Sequence, residues 1–93
     1  MRTVSRTAKF KKDYKRAAKG PHGKSLDADL LTVVTLLAAD SPLPQKLRDH
    51  ALAGEWKDHR DCHVRPDLVL IYREPDADSL ELIRLGSHSE LSL

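Results

Sequence analysis

Ninety-three residues suffice for one domain around one core, and with 40% hydrophobic content but only four aromatic side chains that core is expected to be aliphatic. No run of about 18 apolar residues occurs and the N-terminus is charged, so neither a membrane span nor a secretory leader is expected, and a cytoplasmic protein is. A single cysteine, Cys62, excludes an internal disulfide and a multi-cysteine zinc framework, and is expected as a small buried hydrophobe.

The net charge of +2 is unevenly spread. Residues 1–24 hold nine Lys or Arg against one acid, Asp13, whereas residues 25–93 hold seven basic and thirteen acidic groups. A polyanion against the N-terminal side is one reading of that asymmetry, and a solvated helix face is the other. Residues 2–5 can form a short edge strand. A helix is predicted from about Thr7 to Lys19, with Phe10, Tyr14, Ala17 and Ala18 at i, i+4, i+7 and i+8 on its apolar stripe. Its other face shows Lys9, Lys11, Lys12, Lys15, Arg16 and Lys19, and Gly20-Pro21 ends it. His22 falls in the turn that follows.

A second helix is predicted from about Ser25 to Ala39, with Ser25 as N-cap and Asp27 and Asp29 near the positive end of its dipole. Leu26, Leu30, Val33, Val34 and Leu37 make its buried stripe, which Leu31, Leu36 and Ala38 widen. Pro42 and Pro44 fall close together at the start of the next segment, which shows no periodicity as far as His50 and reads as an extended connection. Strands follow at Ala51-Leu52 with Gly54–Lys57, then Arg60–Val64, Leu68–Arg73 and Leu80–Leu85, separated by turns short enough for antiparallel neighbours. The expected fold is a single α+β domain over residues 1–93, with two N-terminal helices packed on one face of a small antiparallel sheet.

Four of the five histidines come after residue 49, near Asp61 and Asp67. Metal ligation is the first chemistry to test, and a strand would hold His59 and His63 roughly 13 Å apart, too far to share one ion. No metal and no cofactor is expected. Histidines, an aspartate and arginines instead suit metal-free cleavage of RNA: a base takes the 2′-hydroxyl proton, an acid protonates the leaving 5′-oxygen, and a cation stabilises the phosphorane. Arg84, Arg60 and Arg48 are candidates for the cation, because guanidinium matches phosphate in two-point geometry. Simpler roles compete at other positions: His59 in a solvent-facing turn, Arg60 and Asp61 paired across the sheet, Trp56 in packing, Tyr72 at the edge of the core. The segment Arg84 to His88 places a fixed cation and a titrating imidazole where an apolar strand stops at Gly86.

The run from Asp49 through Trp56, Asp61, His63 and Pro66 to Tyr72 closely resembles the YafQ family of the RelE/ParE toxin superfamily. So does the C-terminal Arg84-Leu85-Gly86-Ser87-His88-Ser89-Glu90-Leu91, and with Phe10 to Lys15 the similarity spans essentially the whole chain. The resemblance implies a RelE-like fold and the toxin half of a bacterial type II toxin–antitoxin pair, acting as a ribosome-dependent, metal-free messenger-RNA endoribonuclease. Carried over by position, its active-site groups fall on His50, His63, Asp67, Arg84 and His88. In that set His88 transfers a proton and Arg84 holds the scissile phosphate, while His50, His63 and Asp67 orient the nucleotide or complete the acid/base set. Lys9, Lys11, Lys12, Lys15, Arg16, Lys19, Arg48 and Arg60 would face RNA and ribosome. The implied partner is a small antitoxin with a ribbon-helix-helix or similar DNA-binding end, through which alone operator DNA is reached; no membrane is involved. Where family members can carry aromatics, this chain has Leu68 and Ser92. The alternatives are a non-enzymatic ParE-like toxin, whose branch lacks this histidine set, and an inactive co-repressor that only binds the antitoxin.

Overall fold

The computed structural model describes residues 1–93. The chain begins with strand β1 (Thr3–Arg6), then helices α1 (Ala8–Ala18) and α2 (Leu26–Ala38). A 3₁₀ turn at Gln45–Leu47 leads to β2 (His50–Ala51), a second 3₁₀ turn at Gly54–Trp56 to β3 (Arg60–Arg65), and then β4 (Leu68–Arg73) and β5 (Ser79–Gly86) complete one five-stranded sheet. Its order is β1-β5-β4-β3-β2. No helix is long and apolar enough to cross a membrane.

The two-helix, one-face arrangement is as expected, but the sheet is not wholly antiparallel. β1 lies parallel to β5, with Thr3 opposite Ser79 and Arg6 opposite Leu82. β1 stops there, and α1 takes over along the same edge of β5. The Thr7 N–H donates to the Leu82 carbonyl at 3.1 Å and its hydroxyl to the Ile83 carbonyl at 2.7 Å, while the same hydroxyl oxygen accepts from Phe10 N–H as N-cap. One threonine thus starts the helix and fastens it to the strand.

Phe10 of α1 and Leu26, Leu30, Val33, Leu37 and Ala38 of α2 meet Cys62, Val64, Leu68, Leu70, Tyr72, Leu80, Leu82 and Leu85 in one core. Each fully buried aliphatic or aromatic side chain stabilises by about 1.5–3 kcal/mol. Cys62 is wholly buried and burial pushes its thiol up to about 12, so it is inert packing. Tyr72 is a core residue, not an edge one, and its hydroxyl donates to Asp49. The opposite sheet face carries a smaller cluster, Val69, Ile71 and Leu91, flanked by Leu52, Trp56 and Ile83.

Several expectations are corrected. Leu31 is 68% exposed, because its position on α2 falls off the core-facing stripe. Ser25 makes no side-chain cap; its hydroxyl donates to the His22 carbonyl and accepts from Arg65. In place of a strand over Gly54–Lys57 there is the 3₁₀ turn Gly54–Trp56, because Gly54 takes φ +65°, outside any extended conformation. The connection after Pro44 likewise coils, and it ends at Arg48 in the left-handed region at φ 50°, ψ 42°. That reversal sends the chain into β2 with His50 as its first residue.

Candidate active site

Three of the histidines meet on the sheet face that the helices leave free. Cys62 and Val64 point into the helix-side core, so the strand alternation turns Asp61 and His63 to the other face. β2 places His50 directly opposite Asp61. His88 comes from the turn after β5, and its ring lies 4.9 Å from that of His63, centroid to centroid, in an edge-to-face arrangement at 62°.

His50 Nδ1 lies between two oxygens, 2.8 Å from the Arg48 carbonyl and 3.0 Å from Asp61 Oδ1. One N–H cannot satisfy both, and the angles favour the carbonyl, which leaves Asp61 Oδ1 buried beside the His50 ring but without a hydrogen bond. Burial raises the Asp61 pKa, and the histidines His50, His63 and His88 oppose that rise. His63 is shifted the other way. Burial lowers its pKa first, and His88, Arg48 and His50 lower it further against the pull of Asp61. At neutral pH His63 is therefore a neutral imidazole beside a second imidazole, an arrangement able to accept a proton at one ring and deliver one from the other.

The other two expected site residues are held by separate partners. Arg84 Nε is 2.7 Å from Asp13 Oδ2 and its Nη2 3.4 Å from Oδ1, so one edge of the guanidinium is already engaged. Asp67 Oδ1 is 2.6 Å from His22 Nε2, across from the turn between the helices. Asp13, the lone acid of the basic helix, is only 3% exposed and also accepts from Leu85 N–H at 3.0 Å and Arg16 Nη2 at 3.2 Å. Burial alone would raise its pKa, but the Arg84 hydrogen bond, the Leu85 N–H and the charges of Arg84 and Arg16 outweigh it and hold the carboxyl below its ordinary value.

A second network fixes the turn that presents His88. Ser87 N–H donates to Glu90 Oε1 at 2.8 Å, Glu90 N–H donates to Ser87 Oγ at 3.1 Å, and Arg16 Nε lies 3.0 Å from Glu90 Oε2. This is the reciprocal pattern of a capping box, tied to α1 by an arginine. Gly86 lets it close: a Cβ there would come within 3.0 Å of Glu90 Oε1 and 3.1 Å of Arg16 Nη2.

The expected RNA-facing set divides accordingly. Lys9, Lys11, Lys12 and Lys15 are exposed on α1 and Lys19 at its C-cap, and Arg48 is exposed beside His50. Arg16 is committed to Asp13 and Glu90, and Arg60 pairs with Asp49 at 3.2 Å rather than with Asp61. Leu68 lies in the helix-side core at 6% exposure, and Ser92 is an exposed turn residue at φ 58°, so neither position offers a stacking surface. Trp56 packs partly buried on the free face, 5.4 Å from the ring of His59. No three His, Cys, Asp or Glu side chains are grouped so as to hold a metal ion.

Two contacts of this site are not evident from the sequence. Asp61 shares a face with His63 by simple alternation, but its partner His50 lies on another strand. Asp13 sits three residues after Phe10 and four before Ala17, on the apolar stripe, and a lone carboxylate on that stripe is the signal of a buried ion pair.

The chain is similar to known proteins over nearly its whole length. Residues 2–93 match a family model described as the bacterial toxin of a type II toxin–antitoxin system, YafQ. The mRNA interferase toxin YafQ of Escherichia coli strain K12 is 36% identical over 90 residues, covering 97% of this chain and 95% of the relative. The crystal structure of YafQ from E. coli strain BL21(DE3) superposes with a TM-score of 0.85 at 36% identity, over 98% of both chains. YafQ in the E. coli DinJ–YafQ complex superposes at 0.78 with 33% identity, again over 98% of both.

Proposed function

The chain belongs to the YafQ family of bacterial type II toxins, and from that premise we propose that it is a metal-independent endoribonuclease that cleaves messenger RNA on the ribosome. The observation that carries the mechanism is the His63–His88 contact at 4.9 Å with His63 shifted toward its neutral form. His63 is the base and His88 the acid.

His63 takes the proton of the 2′-hydroxyl, and that oxygen forms a bond to the adjacent phosphorus as the bond from phosphorus to the 5′-oxygen breaks. His88 gives its proton to the departing 5′-oxygen, so the products are a 2′,3′-cyclic phosphate and a 5′-hydroxyl. Arg84 keeps Nη1 outside its contact with Asp13 and can donate to the phosphate. Arg48 adds positive charge close to His63. His50, fixed between Arg48 and Asp61, borders the same space, and Asp67 accepts from the neighbouring nucleotide.

The exposed lysines of α1 supply a face for ribosomal RNA. A small antitoxin is the expected partner, a reading supported by the complex of the E. coli relative with DinJ. The direct test is to induce the protein alone and map 5′ ends on translated and untranslated copies of one message, with His88→Ala in parallel. Cuts confined to the translated copy, ending in cyclic phosphate and lost in the variant, are expected. Equal cleavage of both copies rules out ribosome dependence, and unchanged cleavage by His88→Ala rules out the assigned acid.

A further inference from the structure

Residues 45 positions apart in the chain meet where His22 Nε2 lies 2.6 Å from Asp67 Oδ1. The two side chains come from different kinds of segment. Asp67 occupies the short turn between β3 and β4, and its side chain is 68% exposed. Besides His22, only its own backbone N–H holds the carboxylate. Freed of His22, it would rotate about its side-chain torsions.

His22, by contrast, is on a braced turn. Gly20 N–H donates to the Ala17 carbonyl, Gly23 N–H to the Gly20 carbonyl, and Ser25 N–H to the carbonyl of His22 itself. Ser25 Oγ donates to that carbonyl as well. Gly23 packs so tightly that a Cβ would fall 2.1 Å from the Ala18 carbonyl oxygen. The ring is 29% exposed and stands over one wall of a cleft of about 230 Å³ that Asp67, Arg16, Ser87 and Glu90 also line. Ser87, at the edge of this cleft, immediately precedes His88 in the chain. The charges around the pair are Arg16 and Glu90 across the cleft, with Arg65 and its partner Asp29 on the flank.

We infer that His22 is a positioning residue of the cleavage site: it donates through Nε2 to Asp67 and so fixes which oxygen that carboxylate offers to the nucleotide beside the scissile phosphate. With Oδ1 taken, Oδ2 is the acceptor left for a nucleotide hydroxyl or amino group. The inference rests on the role given to Asp67 above. A rigid turn holding a mobile carboxylate is what a precise acceptor needs, since misplacement by about 1 Å can cost on the order of 10²-fold in rate.

The experiment is single-turnover cleavage of message on programmed ribosomes at saturating toxin, with binding and thermal midpoint measured alongside. The proteins are wild type, His22→Ala, His22→Gln, Asp67→Ala, Asp67→Asn and the His22→Ala/Asp67→Asn double variant. His22→Ala is expected to slow cleavage about tenfold without weakening ribosome binding. Gln, which can also donate, should restore the rate to within about threefold. In the Asp67→Asn background His22→Ala should change nothing further, and every midpoint should stay at the wild-type value. Wild-type cleavage by His22→Ala where Asp67→Ala is crippled overturns the inference and leaves the role of Asp67 standing. So does a loss in His22→Ala that tracks its melting temperature or persists undiminished in the Asp67→Asn background. Wild-type cleavage by Asp67→Ala removes the role of Asp67 itself and the inference with it.

Discussion

An imidazole that is partly buried beside a second imidazole resists protonation, and for His63 this sets both a rate and a stability prediction. The base is active when neutral. The acid limb of the cleavage profile should therefore fall below 6.5, the ordinary histidine value, and His63→Ala should remove that limb along with about 10²- to 10⁴-fold of the rate. The same shift affects folding. Because the folded state holds the His63 proton less tightly than the unfolded chain, its contribution to stability is present above 6.5 and declines as pH falls through the lowered folded value. Asp61 carries the opposite sign. Its pKa is raised, so its ionised form costs stability at neutral pH, and that cost disappears as pH falls below the raised value. Asp61→Asn should consequently melt no lower than wild type at pH 7 yet cleave about tenfold more slowly, because His50 loses its anionic neighbour. A lower melting point with unaltered cleavage would contradict this account of Asp61. The strand alternation that turns Asp61 and His63 to the same sheet face was legible in the sequence. That β2 would bring His50 to Asp61 was not, since a two-residue strand has too little pattern to declare itself.

Among the elements, α1 does more than display lysines. It closes the edge of β5 that β1 leaves open, through Thr7, Asp13 and Arg16 in turn. Removing Asp13 strands a partly buried Arg84 and an unpaired Leu85 N–H, and breaking such a pair typically costs about 3–5 kcal/mol. Asp13→Ala should show that loss in equilibrium denaturation at pH 7. In wild type the Asp13 contribution is present above 3.8 and is lost as pH falls through its lowered folded value, so the variant should lack that part of the acid transition. Gly86→Ala tests the other tie, between Arg16 and Glu90. The added methyl pushes into both side chains and should loosen the turn that carries His88, slowing cleavage more than it weakens ribosome binding. The sequence declared α1 by its stripe and its Gly20-Pro21 stop, but not its contact with β5. That contact depends on β1 pairing parallel to β5, a connection made through the whole length of the chain.

Across the whole molecule, the fold separates free positive charge from paired positive charge. The five exposed lysines of α1 and its C-cap make no ion pair, whereas Arg16, Arg60 and Arg84 are held by carboxylates. Replacing Lys9, Lys11, Lys12, Lys15 and Lys19 with glutamine should weaken ribosome binding and flatten its salt dependence, by about 0.7–0.9 in the slope of log K against log salt for each phosphate no longer neutralised. The cleavage step at saturation should be unchanged. The overall class, two helices on one face of a sheet, followed from the switch in periodicity after residue 50 and from the family resemblance. The division of the arginines did not follow, because carboxylates such as Asp49 and Glu90 reach them only after the chain has folded.

We propose that His63 and His88 carry the two proton transfers of one cleavage reaction. It is tested most directly by single-turnover cleavage of ribosome-bound message by wild type, His63→Ala, His88→Ala and the double variant. Each single change is predicted to cost about 10² or more in rate with ribosome binding retained, and the double change to cost far less than the product of the two. Wild-type rates in either single variant, with its fold intact, would contradict that assignment of acid and base.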